Sequence, residues 1–570
     1  MKIKWIHKLT PEREKIESFS QELNNLNPLF TTLLLQRNID TYSSAKSFFN
    51  PAISDLHNPF LMKGMNLAVA RLQEAIQNKE KILLYGDYDV DGTTSVALVY
   101  CYLSSFYPHC ECYIPNRNTE GYGISETGLE WAEENNITLI VALDLGIKEV
   151  TIVEKAREKG IDIIICDHHE PGDKVPLAVA VLDPKQIDCP YPFKELSGCG
   201  LGFKFMQALS TKYNNENVLF QYIDLVAVSI ASDLVAINGE NRLLAYFGLK
   251  KLNENPTLGL KVLKTIVGAT EPLDITDVVF KLGPVINAAG RMEHGSNAVK
   301  LLVAKSEKEA KNVAKELKIN NFQRRYIDKT ITDQAIKMIE SDPSLLEAKT
   351  TVLYNQNWHK GIVGIVASRC IESYYRPTII LCQSNSQIVG SARGVRDFNL
   401  YSAIEKCKDL LLKFGGHRYA AGLTLESKNL SAFKQRFEKI VSETISEDQL
   451  TPTIDIDLTI DLDVLTPKFI ENLMRMAPFG PENPKPIFEA KGLSVKNSIT
   501  ILKEKHLRFE VCQEGKQRSF KAIGFGKGFY FDDLSQNKKF SLAFTVEEST
   551  FRESKSIQLN IKDIKFDNKL

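Results

Sequence analysis

Lys81-Ile-Leu-Leu-Tyr-Gly-Asp-Tyr-Asp-Val-Asp-Gly-Thr-Thr-Ser95 is the stretch that decides the fold, because an apolar run ends there in alternating aspartates. Short runs of branched apolar residues recur at 139–143, 163–166 and 179–182, and amphipathic stretches separate some of them. Strands joined by crossover helices are buried on both faces and therefore read as continuous apolar runs. The pattern predicts an α/β domain built on a parallel sheet.

Acidic residues and histidines follow three of these runs directly. Asp87 follows the first, Asp144 the second and Asp167-His168-His169 the third. Ligands bind to open parallel sheets in the crevice beyond the carboxyl ends of the strands, so we expect these side chains to converge. Asp233 closes the apolar segment 225–233, where an unpaired buried carboxylate would be costly. The residues expected around one crevice are Asp87, Asp89, Asp91, Asp144, His168, His169 and Asp233.

So many like charges in one crevice repel each other unless divalent cations neutralise them. One carboxylate bridging two ions about 3.5 to 4 Å apart would match a two-metal phosphoryl-transfer site. Carboxylate and imidazole ligands suit Mn²⁺ and, less readily at histidine, Mg²⁺, whereas the lack of thiolates argues against structural zinc. A calcium loop starting at Asp87 is disfavoured, since its twelfth position is Leu98 instead of glutamate. The sequence therefore predicts a site for two Mn²⁺ or Mg²⁺ ions.

The composition of the whole chain constrains its class more than its partners. Its 570 residues, 43% hydrophobic and 25% charged, are typical of a globular protein with several domains. Lys plus Arg and Asp plus Glu both total 71, so no global positive field indicates a nucleic-acid partner. The sequence starts without a signal peptide, has no apolar run of about 20 residues, and its ten cysteines include no CxxC pair. We expect a cytoplasmic protein with free thiols and no membrane partner.

The rest of the chain divides into segments with different hydrophobic patterns. Between Gly295 and Pro343 there is neither glycine nor proline, which predicts a long helix that connects two domains. Apolar strands at 351–354 and 378–381 indicate a second α/β unit, and alternating strands after Thr451 predict a small closed barrel, with a five-stranded oligonucleotide-binding (OB) barrel as a candidate. The predicted domains are a helical N-terminal region at 1–75, a catalytic domain at 76–300, a connector helix at 301–343, a second α/β domain at 344–448 and a barrel at 449–570.

Four segments resemble the motifs of the DHH phosphoesterase superfamily. They are Asp87-Tyr-Asp-Val-Asp-Gly-Thr-Thr-Ser95, Ala142-Leu-Asp-Leu-Gly146, Asp167-His168-His169 and Ser232-Asp233. Further segments, from about residue 65 to the end, are similar to the bacterial RecJ exonuclease family: Ser197-Gly-Cys-Gly-Leu-Gly-Phe-Lys204, Asn287-Ala-Ala-Gly-Arg-Met292, Trp358-His-Lys-Gly-Ile-Val-Gly-Ile-Val-Ala-Ser-Arg369, Ser391-Ala-Arg393, Gly415-Gly-His417 and Ala477-Pro-Phe-Gly-Pro-Glu-Asn-Pro484. Cys199 and the turn at 394–397 depart from the family pattern, and neither is a proposed metal ligand.

The resemblance implies a parallel-sheet DHH domain joined by a long helix to a smaller α/β DHH-associated domain, followed by an OB-like barrel. It also implies a metal-dependent exonuclease that degrades single-stranded DNA from 5′ to 3′ to mononucleotides by a metal-activated water, in DNA recombination and repair. By this analogy the metal ligands are Asp89, Asp91, Asp144, His168 and Asp233, with Asp144 bridging, and Asp87 either binds a metal or orients a ligand. The implied catalytic residues are Asp144, His168 and His169, of which His169 contacts the scissile phosphate. Whether Asp87 pairs with Asp89, or Asp89 with Asp91, is left open.

Substrate-binding candidates lie in or beside the family motifs. Arginines in loops flanked by glycine or asparagine are suited to bidentate contacts with phosphate. We expect the segment 415–417 to lie between a helix ending at Lys413-Phe414 and a strand starting near Ala421, with its glycines admitting a phosphate to the backbone. Aromatic residues of the barrel, Phe509, Phe520 and Phe525, are expected mostly in its core. The substrate-binding candidates are Arg117, Arg291, Ser391, Arg393, Gly415, Gly416 and His417.

Two other functions are compatible with the superfamily. A small-substrate DHH phosphodiesterase or oligonucleotidase would need only the two α/β domains, so the appended barrel argues against it. A catalytically inactive replication scaffold would have lost metal ligands, whereas every ligand position is filled here. We expect single-stranded DNA as the substrate, a single-strand-binding protein and a helicase as family partners, and a monomer.

Overall fold

A computed structural model describes residues 3–117, 119–536, 538–551 and 554–566, and the chain forms two compact units. The sheet unit comprises Ala52–Thr444 and Gly480–Asn483. The barrel unit comprises Met1–Pro51, Ile445–Phe479 and Pro484–Leu570. Within the described ranges, no helix combines the length and the apolar character that crossing a bilayer requires.

In the described residues of the sheet unit, helices and strands are interspersed up to β6 (Ala180–Leu182) and from β7 (Thr351–Asn355) onward, whereas the elements between these two strands are helical. The α-helices are α1 (Arg13–Glu22), α2 (Pro28–Leu35), α3 (Tyr42–Phe49), α4 (Met65–Gln77), α5 (Val90–Leu103), α6 (Glu126–Glu134), α7 (Val150–Glu158), α8 (Gly198–Tyr213), α9 (Glu216–Leu219), α10 (Ile223–Ser232), α11 (Gly239–Glu254), α12 (Leu258–Val267), α13 (Ile275–Asp277), α14 (Gly283–Met292), α15 (Ser296–Leu302), α16 (Glu307–Glu340), α17 (Pro343–Glu347), α18 (Val363–Ser373), α19 (Leu400–Glu405), α20 (Leu430–Thr444), α21 (Pro467–Met474) and α22 (Phe531–Ser535). The strands are β1 (Lys4–His7), β2 (Ile82–Gly86), β3 (Cys110–Tyr113), β4 (Leu139–Leu143), β5 (Asp162–Cys166), β6 (Ala180–Leu182), β7 (Thr351–Asn355), β8 (Thr378–Ser384), β9 (Gln387–Arg393), β10 (Lys413–His417), β11 (Ala420–Leu425), β12 (Thr453–Ile456), β13 (Leu458–Thr459), β14 (Phe488–Val495), β15 (Thr500–Leu502), β16 (His506–Gln513), β17 (Ser519–Gly524), β18 (Phe540–Phe551) and β19 (Ser554–Phe566).

The first sheet is parallel throughout and has the strand order β3-β2-β4-β5-β6. The residues of β2 and β4 are all buried, and alternate side chains enter hydrophobic cores on the two faces. Each fully buried leucine or isoleucine of this kind stabilises the fold by about 1.5 to 3 kcal/mol. The chain leaves β2 for β3 on one side and returns to β4 on the other, so the switch point, where ligands bind, lies between β2 and β4. The predicted parallel sheet is confirmed.

A long helix and a second sheet follow the parallel sheet. α16 has 34 residues, begins at the side-chain cap of Ser306 and spans about 50 Å. The second sheet has the order β10-β11-β9-β8-β7, in which only β7 and β8 are parallel, and α18 connects them as the sequence predicts. The expectation of a helix ending at Lys413-Phe414 is wrong, because both residues lie in β10. Pairing with β11, which local sequence does not specify, makes this segment a strand.

The barrel unit closes in the way the alternating sequence predicts. Strands β14, β18, β19, β17 and β16 are joined in a ring by the pairing of β14 with β16, and β13 and β15 extend it. The start of the chain packs on this barrel, since Phe19, Phe30 and Leu33 share a core with barrel residues such as Phe488. β1 pairs in parallel with β12, although the sequence there was expected to be largely helical. A four-residue strand carries too little pattern to be recognised without its partner.

Candidate metal centre

The ends of three neighbouring strands place three aspartates side by side at one edge of the sheet. The last residues of β2, β4 and β5 are in register, and each is followed by an acid, so Asp87, Asp144 and Asp167 stand side by side. The backbone N–H of Asp144 donates to the carbonyl of Cys166 at 2.8 Å and extends the sheet by one residue. Asp144 itself has φ of 65°, a left-handed conformation that is uncommon for a residue with a Cβ and is often found at functional sites.

The helix after β2 carries two further carboxylates. Asp89 is the N-cap of α5 and accepts a hydrogen bond from the N–H of Gly92 at 3.1 Å. Asp91, in the first turn, accepts from the N–H groups of Gly198 and Cys199 at 2.7 and 2.8 Å. These are the first amides of α8, and free amides at a helix N terminus attract a negative charge. The start of α8 therefore holds Asp91 in position.

Two glycines allow the backbone to approach the aspartates closely. A Cβ on Gly198 would lie 2.7 Å from the Cβ of Asp144, and a Cβ on Gly92 would lie 2.5 Å from the backbone nitrogen of Asp87. Neither distance is possible for a real side chain without displacement of the site. The glycines in these motifs are therefore explained by close packing around the carboxylates.

His168 joins the carboxylates that the strands and helices supply. Its Nε2 lies 3.1 Å from Oδ1 of Asp144, 3.6 Å from Oδ2 of Asp233, which caps the end of α10, and 3.7 Å from Oδ2 of Asp91. The ligand atoms form three groups whose members lie within 4.8 Å of one another: Asp87, Asp89 and Asp144; Asp91, His168 and Asp233; and Asp144, His168 and His169. All seven residues that the sequence placed around one crevice are thus brought together, and Asp144 and His168 each belong to two groups.

The electrostatics of this cluster favour the binding of cations. Burial and the neighbouring carboxylates raise the pKa of Asp87, Asp89, Asp144 and Asp233. Oδ1 of Asp87, Oδ1 of Asp144 and Nε2 of His168 are buried without a hydrogen-bond partner. Unpaired buried charges cost several kcal/mol, and divalent cations remove that cost. The donor set of carboxylates and imidazole fits Mn²⁺ or Mg²⁺.

Asp167 holds the two histidines in position through hydrogen bonds. Its Oδ1 accepts from the backbone N–H groups of His168 and His169 at 2.8 and 3.2 Å and lies 2.7 Å from Nδ1 of His169, while Oδ2 accepts from the N–H of Ile147 at 2.9 Å. Burial alone would lower the pKa of His169, but the hydrogen bond and the charge of Asp167 outweigh it and raise that pKa to about 9. The hydroxyl of Tyr122 lies 3.3 Å from the same Nδ1. The ring is held through Nδ1, which leaves Nε2 available for another partner.

The arginine candidates form a second cluster beside the metal centre. Burial, with the neighbouring charges of Arg117 and Arg324, lowers the pKa of Arg291 to about 10. Burial and the charge of Arg117 also lower the pKa of Arg393. Nη1 of Arg291 donates to the carbonyl of Gly361 at 2.9 Å, which fixes the side chain near the second sheet. Guanidinium groups gathered in this way attract a phosphate, which relieves their mutual repulsion.

One row across the second sheet places His417 and Arg393 on the same face, with Ala420 between them. Arg393 on β9 pairs with Ala420 on β11, and Ala420 pairs with His417 on β10, so these side chains share one face of the sheet. Burial lowers the pKa of His417, and the positive charges of Lys148 and His169 lower it further. The face that carries His417 is therefore close enough to His169 to be influenced by its charge.

The neighbouring row on the same face contains two glycines. Ser391 pairs with Gly422, which pairs with Gly415, and a Cβ on either glycine would meet no atom within 4 Å. This row is therefore open space in which a ligand can reach the backbone. Gly416 is required for a different reason, since its φ is 145° and a Cβ there would lie 2.3 Å from the carbonyl of Ala420.

Some residues of the site are missed by the sequence analysis. From the sequence, Asp167 belongs to the motif that contains the two histidines, and no separate role is predicted for it. Oδ1 of Asn287 accepts from the N–H of Val90 at 3.2 Å, between the two carboxylates of α5, and its family motif offered a signal. Arg324 lines a cavity of about 190 Å³ together with Asn287, Arg291 and Ser232. The position of Arg324 in a charge-rich helix provides no sequence signal for a role in the site.

Three family models match the chain. They are the DHH family, N-terminal domain, over residues 81–230, the DHHA1 domain over residues 347–443 and the RecJ OB domain over residues 456–563. The predicted fold class is confirmed.

Proteins of known name and structure resemble the whole chain. The single-stranded-DNA-specific exonuclease RecJ of Bacillus subtilis (strain 168) is 35% identical over 557 residues, which cover 97% of this chain and 70% of that protein. The protein of the same name from Escherichia coli (strain K12) is 31% identical over 526 residues, with coverages of 88% and 90%. The crystal structure of RecJ in complex with Mn²⁺ from Thermus thermophilus matches with a TM-score of 0.85 and 25% identity, and covers 100% of this chain and 80% of that chain. The Mg²⁺ complex of that protein has the same fold, with a TM-score of 0.79 at 24% identity, and covers 100% of this chain and 79% of that chain.

Proposed function

The chain belongs to the RecJ family of single-stranded-DNA-specific exonucleases, and we propose on this basis that it hydrolyses single-stranded DNA from the 5′ end to mononucleotides. The observation that carries the proposal is the largely buried cluster of ligand groups, in which the ligand atoms of each group lie within 4.8 Å of one another and Asp144 and His168 each belong to two groups. We expect the enzyme to act in DNA recombination and repair.

Asp87, Asp89 and Asp144 would hold one divalent ion, and Asp91, His168 and Asp233 a second, while the role of Asp144 as a bridge between the two ions stays a prediction. The grouping supports pairing Asp89 with Asp87, because Asp91 groups with His168 instead. The two ions, as Mn²⁺ or Mg²⁺, supply Lewis acidity, which lowers the pKa of a coordinated water and offsets charge on the phosphate oxygens.

The protein's own groups bind and orient the substrate around this centre. His169, whose Nδ1 is held by Asp167, contacts an oxygen of the scissile phosphate through Nε2. Arg117, Arg291 and Arg393 bind the terminal 5′ phosphate through bidentate contacts, which gives the enzyme its polarity.

The glycine face of the second sheet accepts the sugar-phosphate chain. Ser391 and His417 border this face, and the lack of side chains at Gly415 and Gly422 leaves space for the sugar-phosphate chain against the backbone. Gly416 contributes indirectly, because it permits the close pairing of β10 with β11.

The barrel contributes a separate binding surface for the strand. Phe509 and Phe520 are 3% and 4% exposed and belong to the barrel core. Phe525 and Phe529 are 57% and 67% exposed, and the ammonium of Lys527 lies 5.9 Å from the ring centre of Phe529. Exposed rings with adjacent cations are suited to stacking the bases of single-stranded DNA.

The polarity and the metal dependence are tested with one substrate. A single-stranded oligonucleotide labelled internally is blocked at either end and incubated with Mn²⁺. We expect a 5′ block to prevent release of labelled mononucleotide and a 3′ block to have no effect, whereas the opposite result contradicts the polarity. Chelator and Asp144→Ala should both abolish release, while Asp188→Ala, at an exposed position, should not.

A small-substrate phosphodiesterase remains the alternative enzyme function. It predicts faster hydrolysis of a dinucleotide or of pyrophosphate than of a 20-nucleotide strand, which one comparison of rates decides. An inactive scaffold is disfavoured because every metal-ligand position of the family motifs holds an aspartate or a histidine in this sequence. Cytoplasmic location, a monomeric state, and binding to a single-strand-binding protein and a helicase stay predictions.

A further inference from the structure

The outward face of α16 carries large apolar side chains. Ile319, Phe322 and Tyr326 recur at helical spacing and are 56%, 73% and 69% exposed. The opposite face of the helix is buried through residues such as Leu317 and Ile331, so the helix does not need these outward side chains for its packing. The solvated face of a helix is normally polar, and exposed apolar side chains grouped together indicate an interaction surface.

Positive charges accompany these side chains. Lys315, Arg325 and Lys329 are exposed, and in the described part of the chain none of them forms an ion pair with a carboxylate. Of the nearby acids, Asp328 is buried and turned away, with Oδ1 3.0 Å from Nε of Arg369, whereas Glu316 and Asp333 are exposed near the two ends of this surface. We call this surface the α16 stripe, and its residues are Lys315, Ile319, Phe322, Arg325, Tyr326 and Lys329.

The chemistry of the stripe matches single-stranded nucleic acid. Phe322 and Tyr326 are four residues apart, so their side chains are neighbours about 6 Å apart along the helix axis. Bases of any sequence stack on such rings, while the flanking cations attract phosphates. Interfaces between proteins are depleted of lysine, so the two lysines of the stripe favour a polyanion over a protein partner.

The stripe lies on the same turns of α16 as Arg324, whose charge acts on Arg291 of the arginine cluster. Arg324 faces inward from these turns and lines the cavity that it shares with Arg291 and Asn287. A helix with its side chains is about 10 to 12 Å across. A strand whose end reaches the arginine cluster can therefore pass to the outer face of α16 within a few nucleotides.

We propose that the α16 stripe binds the part of the DNA strand that lies outside the metal centre, with bases stacked on Phe322 and Tyr326. The inference rests on the proposed function, since it assumes that the substrate is single-stranded DNA. It adds a binding surface in the sheet unit to the one expected on the barrel.

Binding to a hydrolysis-resistant probe tests the stripe without relying on catalysis. The probe is a phosphorothioate 20-mer of thymidine with a fluorophore, titrated with the full chain in Mn²⁺ and followed by anisotropy. Phe322→Ala and Tyr326→Ala should each weaken binding by at least about fivefold, the low end for loss of one stacked base, and the double variant by about 25-fold. Tyr326→Phe should retain binding, because it keeps the ring. Tyr246→Ala, at a ring 40% exposed elsewhere in the sheet unit, is the matched control.

The charges of the stripe give an independent readout. Lys315→Gln and Lys329→Gln should each reduce the slope of log binding constant against log salt by about 0.7, the value for one phosphate contact in a single strand. A phosphorothioate dinucleotide, too short to reach from the metal centre to the stripe, should bind all stripe variants like the unchanged protein. All variants should melt at the temperature of the unchanged protein, since the replaced side chains are exposed.

The outcomes separate the stripe from the proposed function. If the double variant binds the 20-mer within twofold of the unchanged protein, the proposal is wrong and a protein partner becomes the better occupant of the stripe. If the unchanged protein releases no mononucleotide from unmodified strands, yet the double variant loses binding to the 20-mer, the proposed function fails and the stripe stands as a DNA-binding surface.

Discussion

The substitution Asp167→Asn tests whether a residue outside the metal groups controls the metal centre. The carboxylate of Asp167 accepts three hydrogen bonds from backbone N–H groups and one from the ring of His169, and it is fully buried. Asparagine has the same shape but one acceptor oxygen. The best orientation keeps that oxygen towards the histidines and turns the amide NH₂ towards the N–H of Ile147.

The magnitude follows from these contacts. The N–H of Ile147, which donates at 2.9 Å, then faces another donor, and an unpaired buried donor costs about 1 to 3 kcal/mol. The hydrogen bond to His169 loses its charge assistance, which costs about a further 1 kcal/mol. We therefore expect Asp167→Asn to lower the free energy of unfolding by about 2 to 4 kcal/mol. We also expect kcat to fall by about 10- to 100-fold, as for other groups that orient the residues of a metal site.

Urea unfolding and steady-state release of mononucleotides measure the two effects. Asp162→Asn, at the other end of β5 and partly exposed in its ion pair with Arg71, is the matched control. The cycle with His169→Asn separates orientation from general damage, because Asp167→Asn should lower kcat little further once the ring of His169 is gone. Retention of stability within about 0.5 kcal/mol and of kcat within twofold would refute the role given to Asp167.

Three further predictions follow from the same structure. In chelator, Asp144→Asn should raise the free energy of unfolding by about 1 to 3 kcal/mol, because it removes a buried carboxylate from among like charges. With Mn²⁺ at about 100 times its dissociation constant the order should reverse, because ligand binding stabilises the unchanged protein by about 2.7 kcal/mol; thermal melts with and without metal check both signs. Gly198→Ala should destabilise the protein by about 1 to 3 kcal/mol in urea, since its Cβ would lie 2.7 Å from that of Asp144, whereas Gly415→Ala should leave stability unchanged and raise KM for DNA. Burial raises the pKa of Asp224 to about 6, so its contribution to stability is full below about pH 4 and is lost as the pH rises through 6; urea unfolding of Asp224→Asn should show a flatter pH dependence across that window.

Much of the metal centre could be predicted because its residues occupy positions that local sequence defines. Asp87, Asp144 and His168 follow apolar strands, and parallel strands present their carboxyl ends at one edge of the sheet. Convergence therefore follows from the fold class alone. Asp233 was found for a different reason, since a carboxylate at the end of an apolar helix needs a partner.

Other features depend on partners distant in the sequence. The amides of α8 that hold Asp91 come from a helix more than 100 residues further along the chain. β10 is a strand because it pairs with β11, and the open glycine row exists because Ser391, Gly422 and Gly415 fall in register across three strands. Register between strands is set by packing and turns, which single residues do not reveal.

The sequence by itself determined which residue types end the strands, and with them the parallel sheet, the metal chemistry and the membership in a family. The tertiary structure alone decided how the ligands divide into groups, that Asp167 holds His169, and which face of α16 is left to solvent. The physical reason is the separation along the sequence of the residues that define each feature. Hydrophobic periodicity and strand ends are defined by a few neighbouring residues. Distances between charges and the exposure of a helix face are set by contacts between elements far apart in the chain.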